Sequence, residues 1–124
     1  MELIGYWAYM DQHNWAEIPE EKLSGLISRQ VIHTANMTIA RLRLRKGALV
    51  AMHNHLNEQV TVVEAGALRF DMGGEQFDLL PGRTLVIPPD LPHEVEALED
   101  SLVMDVFAPP RLDWIRGEDA YLRK

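Results

Sequence analysis

Apolar and polar residues alternate along the middle of this chain with the two-residue period of β-strands. Over residues 38–45, Ala40, Leu42 and Leu44 fall on one side and three arginines on the other. This alternation predicts a strand with one buried face. Three more segments have the length and composition of short strands: residues 60–63, 67–70 and 102–107.

Turn residues separate these segments. Gly73 and Gly74 are adjacent and can supply the positive φ of a tight hairpin turn, and Pro81–Gly82 fits a type II turn. Many short strands separated by such turns predict an all-β fold, a sandwich or a barrel. The helical candidate is the tail from about residue 112 to 122, which Gly117 interrupts.

The composition restricts the classes of function. The 124 residues fit one compact domain, 1–124, long enough to bury a core. A formal net charge of −7 argues against a nucleic-acid partner, and no apolar run reaches membrane-spanning length. The chain has no cysteine, which excludes disulfides and thiolate-bound metals. The first residues do not resemble a secretory leader, so we expect a cytoplasmic protein with no membrane partner.

Three of the five histidines predict a metal site. His53 and His55 are two residues apart, so on a strand both rings leave the same face. His93 follows a stiff, proline-rich turn. Three imidazoles with an amide or carboxylate nearby form a site for a first-row transition metal. The alternatives are a chance pair on a hydrated strand face for the first two, and a turn-capping role for His93.

The spacing of these residues resembles the two motifs of the cupin superfamily. The first motif matches from Gly47 through the histidine pair to Gly66, and the second from Gly82 to His93. The resemblance covers about residues 37–107. It implies a single-domain jelly-roll β-barrel, to which the sequence pattern adds a short C-terminal helical tail. This chain departs from the motifs at three positions: Gln59 for Glu, Asp90 for Gly and Ala97 for Asn.

The fourth metal ligand is either Gln59 or its neighbour Glu58. The motif spacing favours Gln59, and so does alternation along a regular strand, although a β-bulge would reverse the choice. A neutral amide beside three neutral imidazoles leaves a divalent ion its full double charge, which favours an anionic oxygen as the next ligand. The donor types fit Ni, Zn, Fe or Mn, one ion per chain, without choosing among them.

A second group of chemically active residues follows near the C-terminus. Asp105 and Phe107 share one face of a predicted strand, and a proline pair ends that strand before Arg111. Near a metal, Asp105 can move a proton, Phe107 can pack on an apolar face, and Arg111 can bind a carboxylate. The alternative is structural, with Asp105 pairing with Arg111 and Phe107 in the core.

The run from Asp105 to Arg111, with Asp113-Trp114 and the tail through Tyr121, resembles the KdgF-type cupins of pectin and alginate breakdown. Such enzymes convert cyclic 4,5-unsaturated uronates into open-chain keto sugars. The resemblance implies a small anionic sugar acid as substrate and a metal-assisted ring opening. It assigns the metal to His53, His55, Gln59 and His93, the proton transfer to Asp105, and substrate binding to Phe107 and Arg111.

Two other functions stay open. One is a cupin dioxygenase or polyketide-cyclase-like enzyme acting on an enol or aromatic compound, for which we expect a cavity lined mainly by Met and Leu. The other is a cupin that binds a sugar without turning it over.

The N-terminal residues predict self-association. Residues 1–10 are rich in apolar and aromatic side chains, and an aromatic strand at a terminus exposes an unpaired sheet edge. Small cupins commonly donate such a strand to a partner's sheet, so we expect a homodimer.

Overall fold

The computed structural model describes residues 10–123, and these residues form two antiparallel β-sheets. The predicted strands are present, and most are longer than the sequence pattern indicated. The strands are β1 (Glu21–Lys22), β2 (Ile27–His33), β3 (Thr38–Leu44), β4 (Leu49–His53), β5 (Glu58–Ala65), β6 (Leu68–Met72), β7 (Glu75–Leu79), β8 (Thr84–Ile87), β9 (His93–Ala97) and β10 (Ser101–Ala108).

The first sheet has six strands in the order β1-β2-β3-β10-β5-β8, and the second has four in the order β4-β9-β6-β7. Both glycines of the β6–β7 hairpin have positive φ, 61° at Gly73 and 77° at Gly74, as a tight turn requires. The predicted all-β class is therefore confirmed at the level of two antiparallel sheets.

The buried side chains of both sheets form one apolar cluster. Alternation places Ala40, Leu42 and Leu44 of β3 inside, while Arg43 stays exposed. From the second sheet, Leu68 and Phe70 of β6 are each 2% exposed. Burying large aliphatic and aromatic side chains of this kind contributes about 1.5–3 kcal/mol each. The cluster fixes the inner faces of the strands that present the histidines.

The C-terminal tail is less helical than the sequence predicted. It contains one turn of α-helix, α1 (Leu112–Ile115), and a 3-10 turn at Ala120–Leu122. Gly117 has φ 75°, and its N–H donates to the carbonyl of Trp114, which ends the helix. A second 3-10 turn, Trp15–Glu17, precedes β1.

The predicted dimerisation strand, residues 1–10, lies almost wholly outside the described residues. Among residues 10–123, no helix is long and apolar enough to cross a membrane.

Candidate metal centre and cavity

The three motif histidines come together where β4 and β9 pair. His53 is the last residue of β4, His93 is the first of β9, and the two are direct partners in the antiparallel register. His55 follows two residues after β4. One ring nitrogen from each of the three lies within 4.8 Å of the others. The sheet register therefore builds a three-histidine group able to hold a metal ion.

Backbone carbonyls orient all three rings in the same way. The Nδ1 atoms lie 2.8–3.0 Å from carbonyl oxygens two residues away: Ala51 for His53, Asn57 for His55 and Leu91 for His93. A carbonyl can only accept, so each Nδ1 carries the proton and each Nε2 of a neutral ring keeps a lone pair. This is the usual way in which a protein fixes metal-binding imidazoles.

The environment also keeps these rings neutral. Burial lowers the pKa of His53 and of His55 to about 4, and it lowers the pKa of His93 as well. The positive charge of Arg111 contributes to the lowered pKa of all three rings. Neutral imidazole is the form that binds metals, so the site is ready for an ion at neutral pH.

Gln59 directs its amide oxygen toward the histidines. It lies on β5 and is 6% exposed, whereas Glu58 is exposed on the other face of the strand. The Gln59 amide nitrogen donates to Thr61 Oγ1 at 2.9 Å and to Asp105 Oδ1 at 3.3 Å. These two acceptors fix the amide so that its oxygen lies 3.0 Å from His55 Nε2.

This contact fits a bound cation. The proton of His55 is on Nδ1, so lone pairs of Nε2 and of the Gln59 oxygen face each other. A positive ion that both atoms bind removes that repulsion, and atoms 3.0 Å apart can both reach one ion at bond lengths of about 2.1 Å. The donor set of three imidazoles and an amide therefore suits a divalent transition metal.

Asp105 lies beside this group and can exchange a proton near neutral pH. Its Oδ1 accepts from the Thr61 hydroxyl at 2.6 Å as well as from Gln59. Burial raises the pKa of Asp105 to about 6, and this effect outweighs the two hydrogen bonds and the Arg111 charge, which lower it. An acid of this strength suits proton transfer in neutral solution.

Arg111 pairs with Asp113 and not with Asp105, contrary to the structural alternative considered from the sequence. Arg111 is 2% exposed, and its Nε and Nη2 donate to the two carboxylate oxygens of Asp113 at 3.0 and 2.8 Å. Its guanidinium carbon lies 4.7 Å from the Phe107 ring centroid and 4.4 Å from that of Trp114. A ligand can therefore meet only the remaining guanidinium donors, chiefly those of Nη1.

The tail contributes a residue to which the sequence reasoning gave no role. The Tyr121 ring lies 4.8 Å from the His53 ring, and its hydroxyl accepts from Arg111 Nη2 and from Trp114 Nε1. Its position in the tail motif was the only signal in the sequence. Thr61, which supports both Gln59 and Asp105, was also missed, although it alternates with Gln59 along β5.

Most of these side chains, though not His55 or Asp113, face one cavity, which encloses about 50 Å³ and reaches about 500 Å³ when its open mouth is included. Its apolar part is lined by residues such as Leu42, Phe70 and Val103. Its polar part carries His53, Gln59, Thr61, His93, Asp105, Arg111 and Tyr121. An apolar cavity with a few converging polar groups is the usual form of a small-molecule site.

We expect the metal-free protein to lose stability on mild acidification. In the folded state the pKa of each of the three histidines lies below the ordinary 6.5. Between about pH 6.5 and 4 the unfolded chain therefore binds more protons than the folded chain. The free energy of unfolding consequently decreases as the pH is lowered through this range. The raised pKa of Asp105 has the opposite effect on stability, but Asp105 is a single group and the histidines are three. Urea unfolding of EDTA-treated protein at pH 7.5 and pH 5 should show a loss on the order of 2 kcal/mol, after allowing for partial exposure. Equal stability at both values would contradict the neutral, buried state of the rings.

The comparisons with known proteins agree with this geometry. The cupin domain family model matches residues 40–108, more than half of the chain, so the chain belongs to the cupin family. Among solved structures, it is 31% identical to KdgF from Halomonas sp., with a TM-score of 0.78, and the match covers 84% of this chain and 99% of that one. No curated protein matches the chain.

Two more distant structures show the fold alone. An RmlC-like cupin from Shewanella frigidimarina NCIMB 400 is 23% identical, with a TM-score of 0.78, and the match covers 86% of this chain and 98% of that one. Oxalate decarboxylase from Bacillus subtilis, a protein with Mn(II) centres, is 20% identical, with a TM-score of 0.70. That match covers 78% of this chain but 29% of the decarboxylase. The resemblance to KdgF-type cupins is thus confirmed within a widely shared fold.

Proposed function

We propose that this protein is a metal-dependent enzyme that opens the ring of 4,5-unsaturated uronates to give open-chain keto sugars. The observation that carries the proposal is the position of Asp105, which accepts a hydrogen bond from the Gln59 amide while the oxygen of that amide lies 3.0 Å from His55 Nε2 in the three-histidine group. It puts a group that can exchange a proton near neutral pH beside a site that favours an anionic oxygen. The similarity to KdgF from Halomonas sp. over 84% of this chain supports the choice of substrate class.

The ion would be held by His53, His55, His93 and Gln59. Bound there, a divalent ion would supply Lewis acidity toward an anionic oxygen, with its full double charge because all four ligands are neutral. Ni, Zn, Fe and Mn all fit the donor types. The protein's own contribution is to keep the three rings neutral and the amide oxygen pointed inward.

Asp105 would move the proton that the reaction requires. In ring opening, the C1 hydroxyl loses its proton and the bond between C1 and the ring oxygen breaks, which leaves an aldehyde at C1 and an enolate at C5. The enolate becomes a ketone when C4 gains a proton, so the net change is an isomerisation. A carboxyl group with a pKa of about 6 can accept the first proton and return one to C4.

Arg111 and Phe107 would place the sugar acid. Both are 2% exposed and line the cavity, and the guanidinium packs over the phenyl ring. Asp113 holds two of the Arg111 nitrogens, so the substrate carboxylate would receive hydrogen bonds from Nη1 and not from the full fork. Phe107 would contact the sugar ring through its apolar face.

Turnover of an unsaturated uronate monomer tests the proposal. We expect the metal-loaded protein to speed the loss of the C4=C5 absorbance above the spontaneous rate, and EDTA to return it to that rate. Arg111→Lys keeps the charge but loses the fork to Asp113, so we expect mainly a higher KM. A rate equal to background on both galacturonate-derived and mannuronate-derived monomers would reject the proposal.

The alternatives make different predictions for the same sample. A dioxygenase would consume oxygen with an enol substrate, yet the cavity lining within residues 10–123 contains no methionine, unlike the Met- and Leu-lined cavity expected for that class. A sugar-binding cupin would bind the uronate monomer without changing its rate of ring opening.

A further inference from the structure

Within residues 10–123, Tyr121 is held so that its hydroxyl proton is left free for a ligand. A phenol oxygen has two lone pairs and one proton. Arg111 Nη2 and Trp114 Nε1, the latter at 3.0 Å, both donate to this oxygen and occupy both lone pairs. Neither group can accept a proton in return. No acceptor for the Tyr121 hydroxyl lies within hydrogen-bond distance among residues 10–123.

The Tyr121 ring lies where its hydroxyl can donate to a ligand in the cavity. Tyr121 lines the cavity that also contains His53, Gln59, His93 and Asp105, and its ring centroid is 4.8 Å from that of His53. Two donors on its oxygen, one of them a guanidinium, polarise the O–H bond and strengthen it as a donor.

We infer that Tyr121 is an anion-binding residue of this site, whose hydroxyl donates a hydrogen bond to a carboxylate or enolate oxygen of the ligand. The inference rests on the proposed function for the identity of the substrate but not for the existence of the donor. It also gives the tail a role in the site. Arg111 and Trp114 would then serve Tyr121 as positioning residues, because they fix its oxygen while leaving its proton free.

The tail that carries Tyr121 is tied to the first sheet at a separate point. Asp119, 2% exposed, accepts from Arg29 Nη2 at 2.6 Å and from Arg123 at 3.0 and 3.1 Å. Arg29 is itself 3% exposed on β2. Asp119 does not line the cavity, so a change there loosens the tail without removing the hydroxyl.

Acetate binding to the Co(II)-loaded protein tests the inference without any sugar. Acetate added to wild-type protein should perturb the visible cobalt spectrum, and the titration gives its affinity. Tyr121→Phe should weaken that affinity by roughly tenfold or more, the effect of losing one hydrogen bond to a charged group, with unchanged cobalt content. Equal affinity in the two proteins, or no acetate binding to wild type, would overturn the inference.

Asp119→Asn is the matched control for a structural effect. It lies two residues from Tyr121 and removes the negative charge that pairs with buried Arg29, so it should lower the Tm while acetate affinity stays at the wild-type value. An equal loss of acetate affinity in Asp119→Asn and Tyr121→Phe would mean that only the order of the tail matters, and the inference would fall.

A second measurement covers the case in which Tyr121→Phe does not fold. The chain has three tyrosines, so in the double variant Tyr6→Phe/Tyr9→Phe the single remaining tyrosine is Tyr121. Its Raman doublet gives an intensity ratio of the higher-frequency band to the lower-frequency band. This ratio should fall when acetate is added, as it does when a tyrosine hydroxyl becomes a donor. An unchanged ratio would overturn the inference. The wild-type protein could fail to turn over uronate while its acetate binding still depends on Tyr121. That result would reject the proposed function and leave the inference about Tyr121 standing.

Discussion

Asp105→Asn should reduce kcat for uronate ring opening by about a hundredfold to ten-thousandfold, the usual contribution of a positioned acid–base group. The asparagine side chain has nearly the same shape, and its oxygen can still accept from Thr61 and Gln59, as Asp105 does at 2.6 and 3.3 Å. It can no longer take up a proton. Metal content should therefore stay at the wild-type level while turnover is lost, which steady-state kinetics and elemental analysis on the same sample will show.

Thr61→Val is the matched control for Asp105→Asn. It removes the hydrogen bond to Asp105 and one of the two acceptors of the Gln59 amide but keeps the carboxylate, so we expect a much smaller fall in kcat. Two outcomes would contradict the assigned role. Full activity of Asp105→Asn would show that another group moves the proton. Loss of both metal and activity would show that Asp105 acts by holding the Gln59 amide and not by exchanging a proton.

The parts of the site that the sequence could predict depend on local spacing. His53 and His55 are two residues apart, and strand alternation alone places Glu58 and Gln59 on opposite faces of β5. The structure brings the two histidines, His93 and Gln59 together without a bulge at Gln59. What the motif spacing could not supply is the amide orientation, because that depends on Thr61 and Asp105, which meet only through the pairing of β5 with β10.

The partner of Arg111 was not predictable from residue types. Asp105 and Asp113 are both carboxylates close to it in sequence, and both were compatible with an ion pair. The turn at the start of α1 brings Asp113 to the guanidinium, two residues away, whereas pairing with β5 places Asp105 directly opposite Thr61. Tertiary structure, not charge, decides between them.

Strand β2 and the docking of the predicted tail against it were missed for one shared reason. The segment Ile27–His33 has an arginine at an inward position, which conceals its alternation. Arg29 is nevertheless buried there because it packs 4.5 Å from the Trp114 ring centroid and pairs with Asp119, both of which lie in the tail. Single-sequence patterns treat arginine as exposed, so neither the strand nor the docked tail is visible without the contact between them.

His93→Ala should abolish stoichiometric metal binding while the fold remains. The wild-type protein should carry close to one divalent ion per chain after reconstitution. Loss of one of three imidazoles should weaken metal affinity more than a hundredfold, beyond the roughly tenfold to hundredfold cost of losing an outer partner of a ligand. Circular dichroism should stay β-rich, because β9 still pairs with β4 and β6 through its backbone. Elemental analysis after reconstitution with Ni, Zn, Fe and Mn in turn measures the outcome, and wild-type protein that binds none of them would reject the metal site.

The comparison of Glu58→Ala with Gln59→Ala then identifies the fourth ligand. Glu58 is exposed, so its removal should leave metal affinity unchanged. Gln59 is 6% exposed, and its oxygen lies 3.0 Å from His55 Nε2, so its removal should weaken metal binding. Gln59→Ala should also remove one hydrogen bond to the Asp105 carboxylate. That hydrogen bond favours the ionised form, so its loss should raise the pKa of Asp105 further. Metal loss in Glu58→Ala together with retention in Gln59→Ala would show that β5 presents its other face to the ion.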